Sequence, residues 1–202
     1  MKQARLLLLL ITMVALCGCG DDGPVKRSWG KMKDLDKVVG NMGDDSYSTG
    51  RTQKPRPNAL GRGVSMTDFE GRFVWCEYAA TWCPACAQQT PVTQSVEHEL
   101  GDEIVFLTVM TGKSNAYNDH ATVDTAMEWA ARFNLPKERV VAAELWFKTV
   151  PEHRLYSPKG HTLFVHVGFL QAQQIKDVIA YYKSGWEEWD RTGEYASWMF
   201  YE

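Results

Sequence analysis

The tightest constraint on this chain is a junction. An apolar run, Phe73-Val74-Trp75-Cys76-Glu77-Tyr78-Ala79, passes through Ala80-Thr81-Trp82 into Cys83-Pro84-Ala85-Cys86. The run has strand length and is rich in β-branched and aromatic residues, whereas Cys83 to Leu100 has helical composition with Pro91 inside it. Two cysteines separated by two residues can close a small disulfide when they lie on the first turn of a helix. That position matters chemically, because the free N–H groups and the helix dipole stabilise a thiolate on the first cysteine and lower its pKa. Pro84 suits the first turn, where the N–H that proline lacks would have no partner. Cys83 is therefore the expected nucleophile toward a disulfide, and Cys86 the residue that resolves the mixed disulfide. A structural zinc site would need a full tetrahedral set of ligands. The histidines at 98, 120, 153, 161 and 166 form no close pair, so no metal is expected. Cys76, on the strand, reads as a buried apolar side chain.

Downstream, Ile104 to Met110 reads as a buried strand. Thr122 to Phe133 places Val123, Ala126, Met127, Ala130 and Phe133 on one helical face. Leu155 to Ser157 and His161 to Val167 flank the turn signal Pro158-Lys159-Gly160 and predict a hairpin. Gln171 to Tyr182 predicts a last helix whose buried stripe is Ile175, Val178, Ile179 and Tyr182. A parallel βαβ half followed by an antiparallel half implies an α/β fold, with a mixed central sheet and helices on both faces. Apolar residues make up 45 % of the 202 and charged residues 23 %, as in a globular protein. The net charge of −3 without a basic block excludes an electrostatic case for nucleic acid.

The N-terminus reads as an address. Lys2 and Arg5 precede the apolar run Leu6 to Leu16, and Cys17-Gly18-Cys19 follows. A spanning helix needs about 20 apolar residues, which this run lacks. Leu16-Cys17-Gly18-Cys19 resembles the bacterial lipobox, which implies a signal peptide over 1–19 and lipid on Cys19. Gly20 after that cysteine points to the outer membrane by the same resemblance. Residues 20–58 have a tether's composition, ending in Lys54-Pro55-Arg56-Pro57, with one short amphipathic helix expected over Ser28 to Val39. The folded domain is expected over 59–184. An aromatic-rich extension over 185–202 carries Trp186, Trp189, Tyr195, Trp198, Phe200 and Tyr201, and is expected to fold back as a cap.

The motif and its surroundings resemble the thioredoxin family, over roughly Ala59 to Ser184. The residues that carry the resemblance are Ala80-Thr81-Trp82-Cys83-Pro84-Ala85-Cys86, Pro91 in the same helix, Glu77 six residues before the nucleophile, and Val150-Pro151 before the hairpin. The lead-in Met66-Thr67-Asp68-Phe69-Glu70-Gly71-Arg72 is similar to the TlpA-like periplasmic branch. The resemblance implies a thioredoxin fold and a thiol–disulfide oxidoreductase with no cofactor beyond the redox-active disulfide Cys83–Cys86. It implies that Glu77 is buried behind the disulfide and accepts the Cys86 proton. It also implies a cis Pro151 packed on the disulfide, Val150 pairing with an extended substrate, and Trp82 covering the site. The expected partners are protein disulfides or dithiols and a membrane redox partner, with the lipid anchor holding the protein on the periplasmic side of the envelope. Pro84-Ala85 puts no histidine between the cysteines, which favours a reductant over a strong oxidant. The competing readings are a copper-handling binding protein using the two thiols as soft ligands, and a thioredoxin-like peroxidase.

Overall fold

The computed structural model describes residues 55–112, 119–143 and 149–193. The signal, the lipobox with Cys19, the tether helix and the aromatics from Tyr195 onward lie outside these described residues. A short ribbon comes first, β1 (Arg56–Pro57) against β2 (Gly63–Val64). It leads through a 3-10 turn, Met66–Phe69, to β3 (Val74–Ala80), α1 (Pro84–Leu100) and β4 (Val105–Gly112). Then follow α2 (Val123–Phe133), β5 (Val140–Ala142), β6 (Glu152–Tyr156), β7 (Thr162–Val167) and α3 (Ala172–Thr192). The main sheet has the order β5-β4-β3-β6-β7. Its β3–β4 and β4–β5 pairs are parallel, and its β3–β6 and β6–β7 pairs antiparallel.

β3 is central, and all seven of its residues are buried, so alternation is invisible in its hydrophobicity. The side chains still alternate. Phe73 and Trp75 join Phe106, Leu155 and Phe164 in a core closed by Val96 of α1 and by Ile175, Val178, Ile179, Tyr182 and Trp186 of α3. Farther along the same face, Ala79, Met110 and Ala142 pack with Cys83, Cys86 and the α2 residues Ala126, Trp129 and Ala130. Val74, Cys76 and Tyr78 face the other way, with Leu107, Val109 and Tyr156. There they are covered by Met66 and Phe69 of the 3-10 turn and by Ala143 and Val150. Helical turns therefore lie against both faces.

Three details depart from the sequence pattern. α2 buries Trp129, while Met127 is 40 % exposed, so its inward stripe is rotated from the one expected. α3 continues to Thr192, ten residues past Tyr182, because Trp186 and Trp189 extend the Tyr182 stripe at helical spacing and pack on Phe73 and on each other. The stretch with a tether's composition also contributes a packed residue at its end. Asn58 is buried, its side-chain oxygen accepts the N–H groups of Leu60 and Arg62, and it bridges to Val141 on β5.

Candidate functional site: a disulfide at a helix N-terminus

Cys83 occupies the N-cap of α1, and Pro84 begins the helix. Cys83 and Cys86 are joined as a disulfide, with Cα atoms 5.3 Å apart. The Cys86 N–H donates to the Cys83 sulfur at 3.0 Å, so the first sulfur takes the place of a capping oxygen. No acidic residue lies in the first turn to oppose the dipole, and a thiolate on Cys83 is favoured there. Pro84 and Ala85 are exposed and form the approach to the sulfurs, while Trp82 packs in the same cluster as the disulfide.

The Val150–Pro151 peptide is cis. It brings the Val150 carbonyl oxygen to 3.5 Å from the Cys83 sulfur. Residues 67 positions apart in sequence thus frame one sulfur, with the helix end on one side and an extended backbone on the other.

Glu77 lies behind the disulfide and is fully buried. One carboxyl oxygen accepts the Thr90 hydroxyl at 2.6 Å, and the other has no hydrogen-bond partner. Thr90 stands one turn along α1 from Cys86, on the buried side that also carries Gln89 and Thr93. Burial raises the Glu77 pKa to about 7, against the opposing pull of its threonine hydrogen bonds. Such a carboxyl can both take and release a proton at neutral pH. Cys76, next to it, points to the opposite face. Burial pushes its thiol up to about 12, with Arg154 pulling the other way, so it is inert to exchange.

The geometry gathers Trp82, Cys83, Pro84, Ala85, Cys86, Val150 and Pro151 at one end of the sheet, with Glu77 beneath them. One buried polar group was absent from the expectations. His153, on β6, is wholly buried directly opposite Glu77 in register. The histidines also do form a pair: His153 and His166 are partners across the hairpin, their ring centroids 6.4 Å apart. Sequence spacing hides this, because they stand thirteen positions apart with a turn between them. Even so, no group of three metal-ligating side chains converges among the described residues.

No protein-family model matches the sequence, and no curated protein matches it either. Solved structures do match. A pneumococcal exposed lipoprotein thioredoxin, Etrx1, from Streptococcus pneumoniae is 19 % identical with a TM-score of 0.52, covering 64 % of this chain and 99 % of its own. A thiol:disulfide interchange protein of Chlorobium tepidum is 15 % identical at TM-score 0.51, over 64 % of this chain and 97 % of its own. A secreted thiol-disulfide isomerase of Corynebacterium glutamicum is 14 % identical at TM-score 0.52, over 63 % and 81 %. The fold is that of thioredoxin. In thioredoxin-fold terms, β3, α1 and β4 form the parallel unit that carries the cysteines, and β6, β7 and α3 form the antiparallel unit behind the cis-proline.

Proposed function

We propose that the protein is a thiol–disulfide oxidoreductase of the cell envelope, tethered by lipid on Cys19 and acting as a reductant of protein disulfides. The observation that carries the reading is the disulfide at the α1 N-terminus, with the Val150 carbonyl beside its first sulfur. In the reduced protein the Cys83 thiolate attacks one sulfur of a substrate disulfide, forming a mixed disulfide and releasing the other substrate sulfur as a thiolate. Val150 pairs its backbone with the extended substrate, and Trp82 shields the bond. Cys86 then gives its proton to Glu77 and attacks the Cys83 sulfur. The substrate leaves as a dithiol, and the Cys83–Cys86 disulfide closes. The chain loses two electrons to the substrate, and a membrane dithiol donor restores them by the reverse exchange. The extracytoplasmic placement is supported by the signal-like N-terminus and by neighbours of the same fold described as exposed or secreted. A TlpA-like subtype is supported by the lead-in before β3.

The test is a Cys86→Ser variant expressed in cells. It should accumulate mixed disulfides on Cys83 that reducing agent dissolves, and a variant that traps no partner overturns the reading. The reduction potential of Cys83–Cys86 decides the direction. A value near thioredoxin's, about −270 mV, is expected for a reductant, whereas one near about −120 mV marks a disulfide donor.

A further inference from the structure

One row of side chains crosses the sheet beneath the disulfide. Register pairs Thr108 of β4 with Glu77 of β3, Glu77 with His153 of β6, and His153 with His166 of β7. Direct partners on antiparallel strands place their Cβ atoms about 4.5–5.5 Å apart on one face. The row therefore runs from the centre of the sheet to its edge strand, where His166 is partly exposed. We propose that His153 and His166 form a proton file linking Glu77 to solvent at the β7 edge, so that the proton given up by Cys86 leaves sideways across the sheet.

His153 is hard to account for otherwise. It is 0 % exposed, and no group meets either ring nitrogen in full hydrogen-bond geometry, although the Gly168 backbone comes within reach of the ring. A buried polar group left unmet costs about 1–3 kcal/mol, and leucine would fill the space between Trp75 and His166 without that cost. The second Glu77 carboxyl oxygen, on the neighbouring strand, is likewise unmet. The two rings of the histidine pair are stacked at 26°.

The groups facing the row are Cys86 and the neutral Gln89, Thr90 and Thr93 from α1, Thr108 from β4, Tyr182 from α3, and the row's own members. The buried charges Glu152 and Arg154 lie on the opposite face. Burial, and after it His166, holds the His153 pKa down at about 3, with the Gly168 backbone pulling the other way. His153 is then neutral at rest, and one nitrogen can accept a proton while the other gives one up.

The inference rests on Glu77 being the proton acceptor, and the experiment separates the two. The full chain, reduced and in detergent, is jumped in pH across neutrality while the Glu77 carboxyl band is followed by infrared spectroscopy and identified by its loss in Glu77→Gln. His153→Leu and His166→Leu should keep the band's amplitude but slow its relaxation about tenfold or more. Imidazole added to His166→Ala should restore the rate, which a merely structural role would not produce. If His153→Leu does not fold, the two His166 variants decide. Relaxation at the wild-type rate in the His166 variants overturns the file. A carboxyl band that does not titrate near pH 7 overturns the role of Glu77 itself.

Discussion

On one face of the sheet Glu152 and Arg154 are buried together; on the other, Glu77 and His153 are buried with no charge to meet them. β6 supplies three of these four residues and β3 supplies Glu77. Arg154 bonds Glu152 through Nε at 2.6 Å and lies over the Tyr78 ring, while the Tyr78 and Tyr156 hydroxyls bond each other at 3.1 Å. Every charge there has an answer, and the acid is locked in place. Behind the disulfide Glu77 meets threonine hydroxyls and no cation, and one of its oxygens stays open. Burial shifts both acids upward, but at Glu152 the Arg154 guanidinium opposes the shift, whereas at Glu77 only threonine hydroxyls do. Burial alone does not mark a site; burial without a counter-charge, next to a reactive group, does.

Removing the counter-charge on the paired face gives the largest effect. Arg154→Met leaves Glu152 buried and alone, and should cost about 3–5 kcal/mol in urea unfolding. If the loss is under about 1 kcal/mol, the pair is not the lock described.

The next test reads the unpaired face through pH. Glu77 has a folded pKa of about 7 against 4.5 for the free group, so the native state holds its proton more tightly. Stability from this group falls as pH rises between those values, by about 3 kcal/mol in all. His153 has a folded pKa of about 3 against 6.5, so its neutral form is favoured. Its contribution is full above pH 6.5 and is lost as pH falls toward 3. Burial shifts His166 downward in the same sense and Glu152 upward in the sense of Glu77. The wild-type stability curve should be nearly flat where the opposing slopes overlap. Glu77→Gln should make it climb with pH there, and His153→Leu should make it fall. Identical curves in all three proteins would erase the contrast between the faces.

In kinetics, Glu77→Gln should slow the resolving attack of Cys86 about a hundredfold, measured as release of substrate from a preformed mixed disulfide, while the first attack by Cys83 is unchanged. Cys76→Ala should do least. It should shift stability by about 1 kcal/mol, and alkylation of the native reduced domain should already spare this thiol in the wild type.

The sequence made the cysteine junction legible because strand, proline and helix all agree there on one geometry. It also made the α3 stripe and the hairpin turn legible. It underestimated β6, whose first residues, Glu152, His153 and Arg154, are polar yet buried. Their partners lie on other strands, and hydrophobic patterning cannot register that. β5 is three residues long, too short for a period to show. Asn58 sits among prolines and reads as linker. What buries it is a set of hydrogen bonds that include the Glu138 carbonyl, 80 residues away. The His153–His166 pair had a faint signal, since Lys159 of the turn lies six residues after one and seven before the other. The register irregularity at Leu155/Tyr156 makes such counting insecure.

The Asn58 bridge has a consequence for crowding. With Asn58 against Val141 and the Ala59 N–H on the Val140 carbonyl at 2.8 Å, the β5 end of the sheet is capped by the protein's own chain. β7, at the far end, has no strand on its outer side among the described residues. A sheet with both ends open can grow into a fibre by adding copies at each. A sheet capped at one end can meet only one other such edge, so pairing through β7 stops at two molecules.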